Sequence, residues 1–259
     1  MKIAVIPDTQ VKKDVPTDHL EAYGNYIVDK KPDIIVHLGD HFDMPSLSQY
    51  EEKGSRITEG ARYVDDIASG RAAMERLLSP IVAYNNRRKK HKKTLWKPRI
   101  EFLLGNHEFR VIRAVDKDPM HYEGVISIDD MALESYGWNV NSFLSILEIE
   151  QVMFSHYFQN PQSLRKGVVG GSMEAKLKNL GKSFVMGHQQ LLQYGLMYRP
   201  DGTSTQGLVI GAFYQHNEGY MQAQGNLSHW RGAAFLHDVN HGNYDLMTLS
   251  LDYLLREWL

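Results

Sequence analysis

Three apolar runs of strand length recur in the first half of the chain, and each stops at a polar turn. KIAVI runs into PDTQ (7–10), DIIVHL into GDHFD (39–43), and RIEFLL into GNHE (105–108). Continuous apolar runs of this kind suit strands covered on both faces, as in a parallel sheet. A parallel sheet needs long crossovers, and the gaps between the runs read as helices. DHLEAYGNYIVDKK places Leu20, Tyr23, Ile27 and Val28 at helical spacing; Asp18 and Glu21 resemble a capping box at its start, and Pro32 follows its end. Residues 41–58 are polar and irregular. From Glu59 to Arg88 the pattern is helical again, with Ile67, Met74, Leu77, Leu78 and Ile81 on one side. Gly70 and Ser79-Pro80 are expected to divide that helix into pieces. A further helix is expected from Phe109 to Val115.

The second half reads differently. FLSILEIEQVMFSHYF (143–158) suggests two adjacent strands around Glu150. SMEAKLKNLGK is a short helix between a Ser172 cap and a Gly181 stop. SFVMGHQQ (183–190) is a strand and turn, and beyond Leu191 strand-like pieces alternate with Gly-rich turns. The expectation is βαβαβ followed by a mostly β half with one helix. No internal repeat or linker divides the 259 residues, which are expected to form one domain, 1–259.

The bulk properties narrow the function. A formal net charge of −2 gives no whole-molecule field toward nucleic acid or membrane, so local patches must carry any such role. The absence of cysteine excludes disulfides and thiolate metal sites and fits a reducing compartment. With no leader and no apolar run of transmembrane length, the expectation is a soluble, intracellular, cytoplasmic protein with no membrane partner.

The carboxyl ends of parallel strands share one sheet edge, where ligands bind. The polar turns, together with SHY (155–157) and GHQQ (187–190), therefore bring Asp8, Asp40, Asn106, His156 and His188 within reach of one another. Carboxylate, amide and imidazole donors without thiolate suit Mn, Mg, Fe or Zn. Two such ions, roughly 3.5–4 Å apart, would clamp a phosphoryl group and activate a water. Singly, Asp8 reads as a turn former and His156 as a core histidine; it is the series that points to a metal centre.

The spacing and order of these turns resemble the calcineurin-like metallophosphoesterases, and the intervening segments resemble small phage-type members. The family pattern is Asp-x-His, Gly-Asp-x-x-Asp, Gly-Asn-His-Asp/Glu, a lone His and Gly-His-x-His; this chain has the second and third in full, the lone histidine, and half of the last. The resemblance spans residues 3 to 190. It implies an α/β fold, a four-layer αββα sandwich of two mixed sheets, and hydrolysis of a phosphate ester by a metal-bound hydroxide. It also implies two divalent ions, with Mn the first choice and Mg, Fe, Zn or Ni as alternatives. Asp8 would bind the first ion, Asp40 would bridge both, and Asn106, His156 and His188 would hold the second. His107 would act at the leaving oxygen, oriented by Asp43. Met44 stands where the family often has a phosphate-contacting arginine. Gln10 and Gln190 stand where it has histidines, both around the first ion, so that site is expected to be Asp8, Gln10, Asp40 and Gln190, harder and looser than a histidine site.

Several residues keep two readings. His41, Arg110, Arg113, His229 and Arg231 are candidate substrate contacts, the last two with Trp230 in a lip over the metals drawn from residues 214–232. For that tail, hairpin turns with ordinary packing explain the pattern as well, and for His41 so does a supporting role. Glu108 reads as structural. RRKKHKK (87–93) reads first as a solvated helix end and second as a nucleic-acid strip. The favoured substrate is a phosphodiester, with DNA, RNA or a nucleotide among the candidates. The rivals are a phosphomonoesterase or protein phosphatase on the same site, and a non-catalytic scaffold with a degenerate first metal site. Oligomeric state is not legible.

Overall fold

The computed structural model describes residues 1–48, 59–218 and 223–259. Its strands are β1 Ile3–Ile6, β2 Ile34–His37, β3 Arg99–Leu103, β4 Asn139–Asn141, β5 Leu147–Ile149, β6 Val152–Ser155, β7 Ser183–Gln190, β8 Gln193–Tyr198, β9 Ser204–Gly211, β10 Gly232–Asn240 and β11 Asn243–Ser250. The helices are α1 Asp18–Lys30, α2 Tyr63–Lys90, α3 Phe109–Lys117, α4 Pro119–Tyr122, α5 Met173–Leu180, α6 Ala223–Ser228 and α7 Leu251–Trp258. Among the described residues no helix is long and apolar enough to cross a membrane.

Two mixed sheets form, ordered β11-β10-β1-β2-β3-β4 and β5-β6-β7-β9-β8. In the first, β1 to β4 run parallel and β10 pairs antiparallel with β1. In the second, β6, β7 and β9 run parallel between antiparallel edges β5 and β8. The alternation along each strand builds the layers. Ile3 and Val5 of β1, Ile34 and Val36 of β2 and Leu103 of β3 enter a core shared with Val152, Phe154, Val185, Leu208 and Ile210 of the other sheet. Their neighbours Ala4, Ile6, Ile35 and Phe102 turn the other way, onto α1, α2 and α7 through Tyr23, Met74 and Leu254. A third core packs Phe184 and Met186 against Leu177 of α5. The layers are therefore helix, sheet, sheet, helix, and the expected four-layer sandwich is the fold observed.

Three expectations about elements need correction. First, α2 begins at Tyr63 and is one continuous 28-residue helix despite Gly70 and Pro80. Pro80 cannot donate to the Arg76 carbonyl, and the Ser79 hydroxyl donates to it instead at 3.0 Å. The glycines serve contact rather than breakage. A side chain at Gly70 would enter the Phe42 ring, and one at Gly24 of α1 would meet Pro80 at 2.9 Å. Second, α7 stands where only strands were expected; Ser250 caps it by accepting from the Tyr253 N–H at 3.2 Å. Third, α6 adds a short helix in the tail. The two strands around Glu150 form as expected, with Glu150 (φ 49°) and Gln151 (φ 65°) making the turn. The expected irregular stretch 41–58 lies, from residue 49 onward, outside the described residues.

Candidate metal centre

The strand ends are locked together before any ligand is considered. Glu108, fully buried, accepts the N–H groups of Asp40 (2.9 Å) and Gly105 (2.8 Å) on one oxygen and of His41 (2.7 Å) and Phe42 (2.9 Å) on the other. It thus clamps the turn after β2 to the turn after β3, which is the structural role read from the sequence. The Asp40 carboxylate takes the His107 N–H at 2.9 Å. A side chain at Gly105 would collide with that carboxylate, so the glycine before Asn106 is a packing requirement. The two sheets join at the same place, where the Asp8 carboxylate takes the His188 N–H at 3.1 Å over Gly187. Gln10 (φ 39°), Asp40 (φ 49°), Met44 (φ 52°), His188 (φ 64°) and Gln190 (φ 56°) all adopt left-handed backbone around this junction. Such strain collects where side chains must be aimed.

The second ion's donor set converges. Asp40, His156 and His188 offer ligand atoms within 4.8 Å of one another. His156 donates Nδ1–H to the Leu38 carbonyl at 2.8 Å, leaving Nε2 as the free face. That Nε2 lies 2.8 Å from Asn106 Oδ1 and 3.4 Å from Asp40 Oδ2. Three acceptors facing one another demand a cation between them, either a proton or a metal. Burial opposes charge on His156, but Asp40 overrides it and pushes the ring up to about 9. Burial and the neighbouring His156 push His188 down to about 4, so it is neutral as a ligand must be. These residues fit a divalent ion.

The first ion's set fits in part. Gln10 is buried, and its Oε1 has no partner, an orphaned acceptor. Burial pushes Asp8 up to about 7, a carboxylate short of positive charge. Gln190, however, turns its amide nitrogen to Asp8 Oδ2 at 3.5 Å, while its carbonyl accepts from the Tyr214 hydroxyl at 2.8 Å. Gln190 would offer a carbonyl donor beside Asp8 only with that amide reversed.

His107 donates Nδ1–H to Asp43 Oδ1 at 2.8 Å, and Nε2 sits 3.7 Å from Asp40 Oδ2. Burial disfavours the imidazolium, but Asp40 and Asp43 more than compensate, so the ring lies above its ordinary value. Arg110 reaches the same spot: Nη1 donates to the Asp43 and Met44 carbonyls (2.7 and 3.2 Å) and Nη2 to His107 Nε2 (3.2 Å).

The other candidate contacts separate. His41 is fully buried, and both ring nitrogens are engaged, with Thr9 Oγ1 at 2.8 Å and the Gly70 carbonyl at 3.0 Å. Of its two readings, these contacts support the second, a clamp between the second turn and α2. Arg113 lies over the Phe109 ring at 5.9 Å. Arg231 donates to Gln215 O (3.0 Å) and Asn217 Oδ1 (2.8 Å), bracing the chain around Tyr214. His229 Nδ1 meets the Tyr214 hydroxyl at 2.9 Å. Trp230 packs on Gly211 and Gly232, where a side chain would strike it. The expected lip falls partly on residues 219–222, outside the described residues. The basic run ends α2, and Lys90 stands about 30 Å along the helix from Gly70 at ~1.5 Å per residue; it is remote from the centre. Two neighbours were not singled out in the sequence: Tyr214, which read only as the first residue of the expected lip, and Lys12, whose Nζ bridges Asp43 (3.2 Å) and Glu218 (2.7 Å).

An αββα sandwich with carboxylate, amide and imidazole donors at the shared strand ends defines a metal-dependent phosphoesterase class. The chain belongs to the calcineurin-like phosphoesterase family, whose model matches residues 1–205. No curated protein matches it. Among solved structures it is similar to Yfce, a phosphoesterase from E. coli, at 11% identity and TM-score 0.38 over 97% of this chain and 100% of that one. It is likewise similar to a dimetal phosphatase from Danio rerio, at 11% identity and TM-score 0.47 over 97% and 96% of the two chains.

Proposed function

We propose that the chain, as one domain spanning 1–259, is a phosphodiesterase dependent on two divalent ions, Mn before Mg, Fe, Zn or Ni. The observation that carries the reading is the meeting of Asp40, His156 and His188 within 4.8 Å, with His107 and Asp43 beside them. Bound ions would supply Lewis-acid charge to the phosphoryl oxygens and lower the pKa of a water. The protein's own part is to hold the ligands and move a proton. His107, protonated at Nε2, delivers its proton to the leaving oxygen while Asp43 fixes Nδ1. Taking up that proton ends the hydrogen bond from Arg110 Nη2, which is then available to a phosphate oxygen.

Charge supports a diester. A phosphomonoester carries about 1.5 to 2 negative charges at neutral pH, a diester one. The family's arginine position is the buried Met44. Lys12 is already paired with Asp43 and Glu218, and Arg110 Nη1 with two carbonyls. Among the described residues, few cations beside His107 and Asp43 remain for a dianion. A cyclic nucleotide or a nucleic-acid strand is a natural source of such diesters. With Mn2+, hydrolysis of bis(p-nitrophenyl) phosphate should exceed that of p-nitrophenyl phosphate; the reverse ranking would assign the site to monoesters. A chain that takes up no ion would be a scaffold.

A further inference from the structure

We propose that Tyr214 and His229 are positioning residues that set which end of the Gln190 amide faces the first metal position; this rests on the two-ion reading above. Four groups form one hydrogen-bonded line: His229 Nδ1, Tyr214 Oη, the Gln190 amide and the Asp8 carboxylate, with spacings of 2.9, 2.8 and 3.5 Å. The direction of this line is fixed by counting protons. The single hydroxyl proton of Tyr214 goes to Gln190 Oε1, so His229 must donate Nδ1–H to Tyr214, and Gln190 Nε2 donates to Asp8. In that sense the chain of donors serves a bare Asp8 carboxylate, and the Gln190 carbonyl points away from it.

The line also works backwards. Rotating the amide by about half a turn puts Oε1 toward Asp8; Gln10, the other amide expected to serve this ion, has a buried Oε1 without a partner. Gln190 Nε2 then donates to Tyr214 Oη, and the hydroxyl proton turns to His229 Nδ1. That ring gives up its Nδ1 proton and takes one at Nε2 through solvent, since His229 is part-exposed. No charge is created along the line, and Tyr214 and the Gln190 amide nitrogen keep a partner in both states; in the reversed state Gln190 Oε1 and the Asp8 carboxylate face each other as acceptors and would be satisfied by the cation. A carboxylate alone favours the N–H end of the amide, and a cation beside it favours the carbonyl. Ion uptake and amide direction are therefore linked, each shifting the other. A phenol, which both donates and accepts, is the group that lets both directions be satisfied.

The test reads the His229 tautomer by ring-nitrogen NMR while the protein takes up Mg2+, with calorimetry on Mn2+ for stoichiometry. The expected result is two ions per chain, with His229 passing from the Nδ1–H to the Nε2–H form as the weaker ion binds. Tyr214→Phe should abolish the tautomer change. Gln190→Glu offers oxygen at both ends, so it should take up two ions, the weaker one at least tenfold tighter, with His229 staying Nδ1–H. If wild-type protein binds two ions while His229 keeps its Nδ1 proton, the proposal is overturned and the two-ion reading stands. If it binds only one, both fall.

Discussion

At the residue scale the centre depends on three kinds of group that differ in what their loss would show. His107 sits between Asp43 and Arg110 with its ring held above its ordinary value by Asp40 and Asp43. His107→Ala should lower kcat on a diester by about 10²–10⁴-fold, the range for a positioned general acid, and leave ion stoichiometry unchanged by calorimetry. Gly105 makes the opposite case. Gly105→Ala places a methyl against the Asp40 carboxylate, so it should weaken divalent-metal binding, read by calorimetry, without touching a ligand. Glu108 holds four backbone N–H groups and no substrate. Glu108→Gln turns an N–H2 toward two of those donors. At about 1.5–3 kcal/mol for each charge-assisted bond, several kcal/mol of stability should be lost, read as a fall in the urea midpoint.

At the element scale, stability is decided where helices meet the sheet. α7 closes the helix layer over β10 and β11 through Leu251 and Leu254 and is capped by Ser250. Ser250→Ala should cost about 1 kcal/mol with activity unchanged, visible as a small drop in Tm. The sequence held this helix in plain view, with Leu251, Leu254, Leu255 and Trp258 at helical spacing after a serine. The rhythm of the preceding strands obscured it. Pro80 misled in the other direction. Its cost inside α2 is offset by Ser79 and by its contact with Gly24, partners that no local pattern reveals.

At the scale of the whole molecule, burial sets the response to acid. His19 is buried in the α1 layer, and burial pushes it down to about 3; burial likewise holds His37 well below its ordinary value. Both rings are neutral in the folded chain and take protons near 6.5 when unfolded. The unfolded state binds more protons below that pH, so this contribution to stability is complete above pH 6.5. It is lost as pH falls, by up to about 1.4 kcal/mol per pH unit for each ring. His19→Gln should reduce the pH slope of unfolding free energy between pH 4.5 and 6.5 by about one proton, measured by urea denaturation across that window.

The sequence by itself determined the frame. Three apolar runs ending in PDTQ, GDHFD and GNHE, followed by His156 and His188, pointed to parallel strands, because continuous apolar runs joined by helical crossovers suit a sheet covered on both faces, and parallel strands put their polar carboxyl ends on one edge. It also carried the family. Tertiary structure decided the roles within that frame. His41 looked available for substrate until α2 brought the Gly70 carbonyl to its ring. Tyr214 read only as one aromatic of the tail 214–232, yet β1 pairing with β10 and the bridge between Asp8 and Ala212 bring its hydroxyl to Gln190. The direction of the Gln190 amide is set by the partners at its two ends, Asp8 and Tyr214, which lie far from it along the chain. A sequence names a donor, but which atom of it faces the ion depends on what the fold places behind it.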